Sequence, residues 1–111
     1  MPVNAQQIRQ LALALPQATE APHFDYASFR IGTKIFATMP PGEAFLHVFV
    51  DEADRAPLVD LQPEAYQALQ WGEKVVGVKV MLARADAATV GHLLRQSWLR
   101  KAPKRLAATL G

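Results

Sequence analysis

Apolar residues recur at Ile8, Leu11, Ala12 and Leu15, the spacing by which a helix buries one face. Asn4, followed three residues later by Gln7, predicts its start, because Asn accepts from an early helix N–H while Gln reaches back to the cap. Pro16 lacks the next backbone donor and predicts its end. Residues 17–26 hold two acids, two aromatics, Pro22 and His23 without a regular period, and read as a loop folding back over the core. From Ala27 the period shortens to two. Phe29 and Ile31 alternate with Ser28 and Arg30, Gly32-Thr33 interrupts, and a β-rich run resumes over residues 34–39. This predicts a hairpin whose two-residue turn uses a positive φ at Gly32. Pro40-Pro41-Gly42-Glu43 predicts a second turn. Residues 44–50 then form a third strand, with Leu46, Val48 and Val50 on one face and Phe45, His47 and Phe49 on the other.

Asp51-Glu52-Ala53-Asp54 opens a short helix, its acids near the positive end, with Pro57 limiting or kinking it. Gln62-Pro63-Glu64 resembles another helix start, which would turn Tyr66 and Leu69 inward and close at Trp71-Gly72. Residues 74–82 form a fourth strand, Val76, Val78, Val80 and Leu82 inward and Lys79 outward. Asp86 caps a long helix whose apolar stripe is Val90, Leu93, Leu94, Ser97 and Trp98. Pro103 breaks it, and Leu106 and Leu110 suggest one more short helical turn. The order helix, three strands, helices, strand, helix predicts an α+β domain spanning residues 1–111, an antiparallel sheet covered by helices on one face.

Composition narrows the chemistry. The 111 residues are half apolar and one-fifth charged, as in an ordinary globular chain of one core. There is no cysteine, which excludes disulfides, thiolate zinc sites and a cysteine nucleophile. The start of the chain lacks a basic region followed by an apolar core, and no apolar run approaches the roughly 20 residues of a membrane span, so a cytoplasmic protein without a membrane partner is expected. The sequence contains no P-loop, dinucleotide fingerprint, Gly-x-Ser-x-Gly elbow or paired catalytic carboxylates.

The net charge of +2 hides an uneven distribution. Residues 17–64 carry eight acids against Arg30, Lys34 and Arg55, a net of −5. Residues 87–111 carry Arg95, Arg100, Lys101, Lys104 and Arg105 and no acid, a net of +5. Such a separation creates a surface field although the totals nearly cancel. One reading of the basic tail and of Arg30 and Lys34 beside the Gly32-Thr33 turn is phosphate contact with nucleic acid. The other is structural: cations at a helix C-terminus offset its macrodipole, and cations on a sheet edge discourage strand pairing. His23, Asp25 and His47 would serve general base or metal chemistry only if they converged, since a two-residue spacing in a loop fixes no geometry. Trp71 and Trp98 read as core anchors. Phe45 and Phe49 form a strand face that is either covered or offered to a protein partner or second copy.

Several blocks occur in a recognisable order: Ala21-Pro22-His23-Phe24, Ser28-Phe29-Arg30-Ile31, Gly32-Thr33-Lys34-Ile35-Phe36-Ala37-Thr38, Ser97-Trp98 and Ala102-Pro103-Lys104-Arg105-Leu106. Together they resemble the MmcQ/YjbR family of small bacterial proteins, over nearly the whole chain as far as residue 106. The resemblance implies a frataxin-like (CyaY-like) α+β fold and DNA binding by analogy with a double-wing arrangement of hairpins. It supplies no catalytic residue and no cofactor. Many relatives carry a longer stretch with a His before the fourth strand; here Gln70-Trp71-Gly72-Glu73-Lys74 is compact. Glu20, Asp51, Glu52, Asp54 and Asp60 invite comparison with iron-binding frataxins, but helix 4–15 carries Arg9 and no acid, so no metal is expected. The expectation is therefore a non-enzymatic binding module contacting DNA phosphates, without sequence preference, through Arg30, Lys34, Lys101, Lys104 and Arg105. The alternative is a protein-interaction or self-association module.

Overall fold

The computed structural model describes residues 2–110. Helix α1 (Ala5–Leu13) begins with the predicted capping box: the Asn4 side chain accepts from the Gln7 N–H, and the Gln7 side chain accepts from the Asn4 N–H. Strands β1 (Ala18–His23), β2 (Tyr26–Ile31), β3 (Lys34–Met39) and β4 (Phe45–Val48) follow, then α2 (Glu52–Leu61) capped by Asp51. Strands β5 (Tyr66–Trp71) and β6 (Lys74–Met81) lead through a short 3-10 turn to α3 (Ala87–Lys101) and α4 (Lys104–Leu110). The six strands form one sheet in the order β1-β2-β3-β4-β6-β5, every pairing antiparallel, with the helices layered on one face.

Two segments differ from the sequence reading. Residues 18–23, expected as loop, are an edge strand whose residues are exposed or half-buried, so its composition carries no alternation. Pro22 is tolerated there because an edge strand has one side free of the ladder. Residues 66–71, expected as helix, are the other edge strand. Tyr66 and Leu69 are both buried, and their three-residue spacing mimics a helical stripe. In the strand they point to opposite faces, Tyr66 opposite Val80 and Leu69 opposite Gly77. The sheet therefore has six strands rather than four.

Most of the predicted stripes form the core, with Leu11 and Leu15 partly buried against it, while Val76, expected inward, lines a cleft instead. Ile8 and Ala12 of α1, Leu46, Val48 and Val50, and Val90, Leu93, Leu94, Ser97 and Trp98 of α3 are all buried. The Trp98 indole N–H donates to the Pro16 carbonyl at 3.1 Å, tying α3 to the end of α1. Two bulges interrupt the ladders. Phe36 is the unmatched residue between the pairs Phe29–Ala37 and Arg30–Ile35, and Val76 is its counterpart between Leu69–Gly77 and Gln70–Val75. A bulge bends its strand and increases the local twist. The Phe36 carbonyl accepts from the buried Ser97 hydroxyl, so a residue of the helical stripe satisfies the group at the irregularity.

Candidate functional site

The sheet face opposite the helices carries a row of mostly polar side chains set by strand register. Ala21 pairs with Ser28, Ser28 with Thr38, Thr38 with His47, His47 with Lys79, and Lys79 with Gln67, one residue from each of the six strands. Ser28 donates to the Ala21 carbonyl at 2.7 Å and accepts from Arg30 Nε at 2.9 Å. The Thr38 hydroxyl and His47 Nδ1 are buried with no partner among the described residues. Burial, with the positive charge of Lys79 as a second cause, pushes the His47 imidazole below its ordinary value, so it is held neutral more firmly than a free histidine. Lys79 extends its ammonium over the Phe45 ring, 4.1 Å from the centroid.

A cleft of about 940 Å³ reaches this row at Thr38. One wall is the β1–β2 hairpin end, His23, Phe24, Asp25 and Tyr26; the other is the β5–β6 hairpin, with Trp71, Val75 and Val76. Ile35, Thr38 and Phe49 also line it, and Arg100 and Lys101 reach it from the end of α3. Phe24 adopts φ 58° at the hairpin turn and is 92% exposed. Trp71 is 54% exposed, which corrects its assignment as a core anchor. Its ring meets Phe49 edge-on, centroids 5.2 Å apart, and Phe49 is buried while Phe45 stays partly exposed. The expected Phe45/Phe49 patch is thus divided, one ring covered by Trp71 and the other capped by Lys79. Arg100 donates to the Phe49 carbonyl at 2.9 Å, which anchors the end of α3 to the cleft.

A second groove, about 610 Å³, adjoins the first through Lys101, which lines both. It is formed by the β2–β3 turn, Gly32, Thr33 and Lys34, against Lys101, Pro103, Arg105, Leu106 and Thr109. Gly32 has the positive φ the turn requires, 62°. Three of the five cations singled out in the sequence, Lys34, Lys101 and Arg105, are therefore brought together across some 70 positions of chain. Lys104 is exposed on the same short helix without lining the groove. Arg30 is half-buried and braces β1, donating to the Pro22 carbonyl at 3.5 Å as well as to Ser28.

The two structural explanations fit Lys34, Lys104 and Arg105 poorly. Lys34 begins β3, which lies inside the sheet, so it is no edge charge. Lys104 and Arg105 stand in the first turn of α4, the end at which a helix dipole disfavours cations. Arg100 and Lys101, in the last turn of α3, do suit that dipole. Both ion pairs among the described residues belong to Arg9, with Glu20 at 3.1 Å and Glu43 at 2.8 Å. None of the five candidate cations is paired with an acid there.

Of the catalytic candidates, His23 and Asp25 line the cleft and His47 does not. No side-chain hydrogen bond joins any two of them among the described residues, and no three His, Asp or Glu side chains there are grouped as metal ligands. The cleft residues Tyr26, Thr38 and Trp71 went unmarked as site residues in the sequence. The available signal was Phe24 and Trp71, large apolar residues placed beside hairpin turns, where burial is hardest.

No helix among the described residues is long and apolar enough to cross a membrane. No curated protein matches the chain significantly. Its fold is similar to the crystal structure of the Deinococcus radiodurans protein DR2400, which carries the domain DUF419: the TM-score is 0.78 at 22% identity, covering 100% of this chain and 89% of that one. The YjbR sequence model matches residues 13–100, from the end of α1 to the last turn of α3, and so takes in both hairpins and every cleft residue but Lys101. By that match the chain belongs to the YjbR family.

Proposed function

We propose that this protein is a binding module for nucleic acid, holding phosphates on the groove formed by Lys34, Lys101 and Arg105, with Lys104 beside Arg105 on α4 and Arg30 kept to bracing β1. The observation that carries the reading is the convergence of these cations from a β-turn, a helix end and a helix start, none offset by an acid among the described residues. Lys and Arg so placed neutralise phosphates and release counterions, a term indifferent to base sequence. The +2 total is no obstacle, because Glu20 and Glu43 pair with Arg9 and none of the groove cations is paired with an acid among the described residues.

The test is fluorescence anisotropy with a labelled 20-base-pair duplex and its separated strand across a salt series. Binding should weaken steeply with salt, and the double variant Lys34→Glu/Arg105→Glu should lower affinity at least tenfold at low salt. Equal affinity of wild type and variant, or no binding of either nucleic acid at low salt, would overturn the reading.

A further inference from the structure

We infer that the cleft between the two hairpins receives unpaired nucleobases, so that the nucleic acid this protein binds is single-stranded; the inference rests on the nucleic-acid reading above. The cleft has the three things a base needs. It has rings to stack on: Phe24 and Tyr26 from one hairpin and Trp71 from the other, with Trp71 braced edge-on by the buried Phe49. Two of these rings, Phe24 at 92% exposure and Trp71 at 54%, stand bare at opposite rims, where a folded chain gains nothing by leaving them. It also has unspent polar capacity. Thr38 is 5% exposed, lines the cleft, and its hydroxyl has no partner among the described residues, beside the equally unpartnered His47 Nδ1 in the neighbouring strand. A buried hydroxyl left unmade is costly, and a ligand edge bearing donors and acceptors removes that cost.

The third requirement is charge at the mouth. Lys101 belongs to both the cleft and the basic groove, and Arg100 stands next to it. A backbone following Lys34, Arg105 and Lys101 therefore passes the cleft opening, and its bases can turn in. Aromatic platforms beside a positive track are how single strands are held with little sequence preference, because every base has a π face. In a duplex those faces are already stacked against one another, and a cleft lined on both walls cannot reach them. A purely apolar ligand would leave Thr38 unsatisfied and the cations without a partner. The volume of about 940 Å³ accommodates more than one base.

The experiment compares a labelled 12-nucleotide oligodeoxythymidylate with a 12-base-pair duplex on the intact chain by anisotropy. Tryptophan emission is followed in parallel. The single strand should bind at least tenfold tighter and quench the exposed Trp71, leaving the buried Trp98 emission in place. The variants Trp71→Ala and Phe24→Ala, with folding checked by circular dichroism, should weaken single-strand binding at least tenfold and leave duplex binding unchanged. Duplex affinity equal to single-strand affinity, or single-strand binding without quenching, would overturn the cleft assignment while the phosphate groove stands. Failure of both nucleic acids to bind would overturn the groove and the cleft together.

Discussion

Gly77 lies so close beneath the Val48 carbonyl oxygen that a β-carbon built on it would overlap that oxygen, and it would stand 3.0 Å from the Phe49 α-carbon. The chain leaving β4 thus crosses directly over β6 where no side chain intervenes, and this crossing sets Phe49 into the cleft. Backbone cannot swing aside as the end of a flexible side chain can. Gly77→Ala should therefore destabilise the fold by about 3 kcal/mol, the upper range of overpacking. Urea denaturation monitored by far-ultraviolet circular dichroism measures it.

The Ser97 hydroxyl donates to the Phe36 carbonyl, at the bulge where that residue lacks a partner in β2 and its carbonyl otherwise accepts only a long 3.5 Å bond from the Phe49 N–H. Ser97→Ala removes the donor and leaves a buried acceptor short, with an expected loss of about 1–3 kcal/mol. Ser97→Cys, with a weaker donor of similar shape, should fall between. Paired thermal melts of the three proteins decide the order.

His47 gives stability a dependence on pH. Its folded value lies below the ordinary 6.5 because burial disfavours the charged ring, with Lys79 adding to the effect. The unfolded chain therefore binds the proton first. The contribution is complete above about 6.5 and is lost as pH falls from there through the folded value. His47→Gln should flatten the stability profile over that interval, and melts at half-unit steps between pH 7.5 and 5 measure the slope.

Asp86 acts at lower pH and on another element. Its carboxylate accepts from the Thr89 N–H at 2.9 Å and the Thr89 hydroxyl at 2.8 Å, and these bonds hold it below its ordinary 3.8. Its stabilisation is present above 3.8 and is lost as pH falls through the folded value. Asp86→Ala removes the α3 cap and should cost about 1 kcal/mol at neutral pH. Asp86→Asn should recover most of that while shedding the acid dependence. Denaturation at pH 7 and pH 3 separates the two effects.

In the basic groove the informative quantity is the salt slope. Each of Lys34, Lys101 and Arg105 replaced by Gln should lower the slope of log affinity against log salt by about 1 on duplex, uniformly across sequences. Arg95→Gln, whose guanidinium donates to the Leu110 carbonyl at 3.1 Å, should leave the slope unchanged. Anisotropy titrations at four salt concentrations suffice.

What the sequence revealed divides by how locally each feature is encoded. Helices α1 and α3 and strands β2 and β4 carry their own periodicity, because each has one face against a fixed core: Ile8 and Ala12, Val90 to Trp98, Phe29 and Ile31, Leu46 and Val48. The edge strands lack that imprint. In β1 no residue is buried, and in β5 Tyr66 and Leu69 are buried on opposite faces, which reads as a helical interval. The cations were legible as composition, and their meeting was not. Lys34 and Arg105 become neighbours only when the β2–β3 turn is laid against α4, a long-range placement. The cleft was invisible for the same reason, since Thr38 and Trp71 acquire meaning only across strands.

The bulges at Phe36 and Val76 flank the cleft, one in the β2–β3 pairing and one in the β5–β6 pairing. Its aperture is therefore governed by how many residues these strands contain as well as by which residues they are. Deleting Val76 would restore a regular ladder, relax the bend of its hairpin and reshape the mouth with the other lining side chains still in the chain. In a protein built this way, the gain or loss of a single strand residue is a unit step in the geometry of the cleft. Ligand size is then open to change by insertion and deletion, a route separate from substitution of the lining itself.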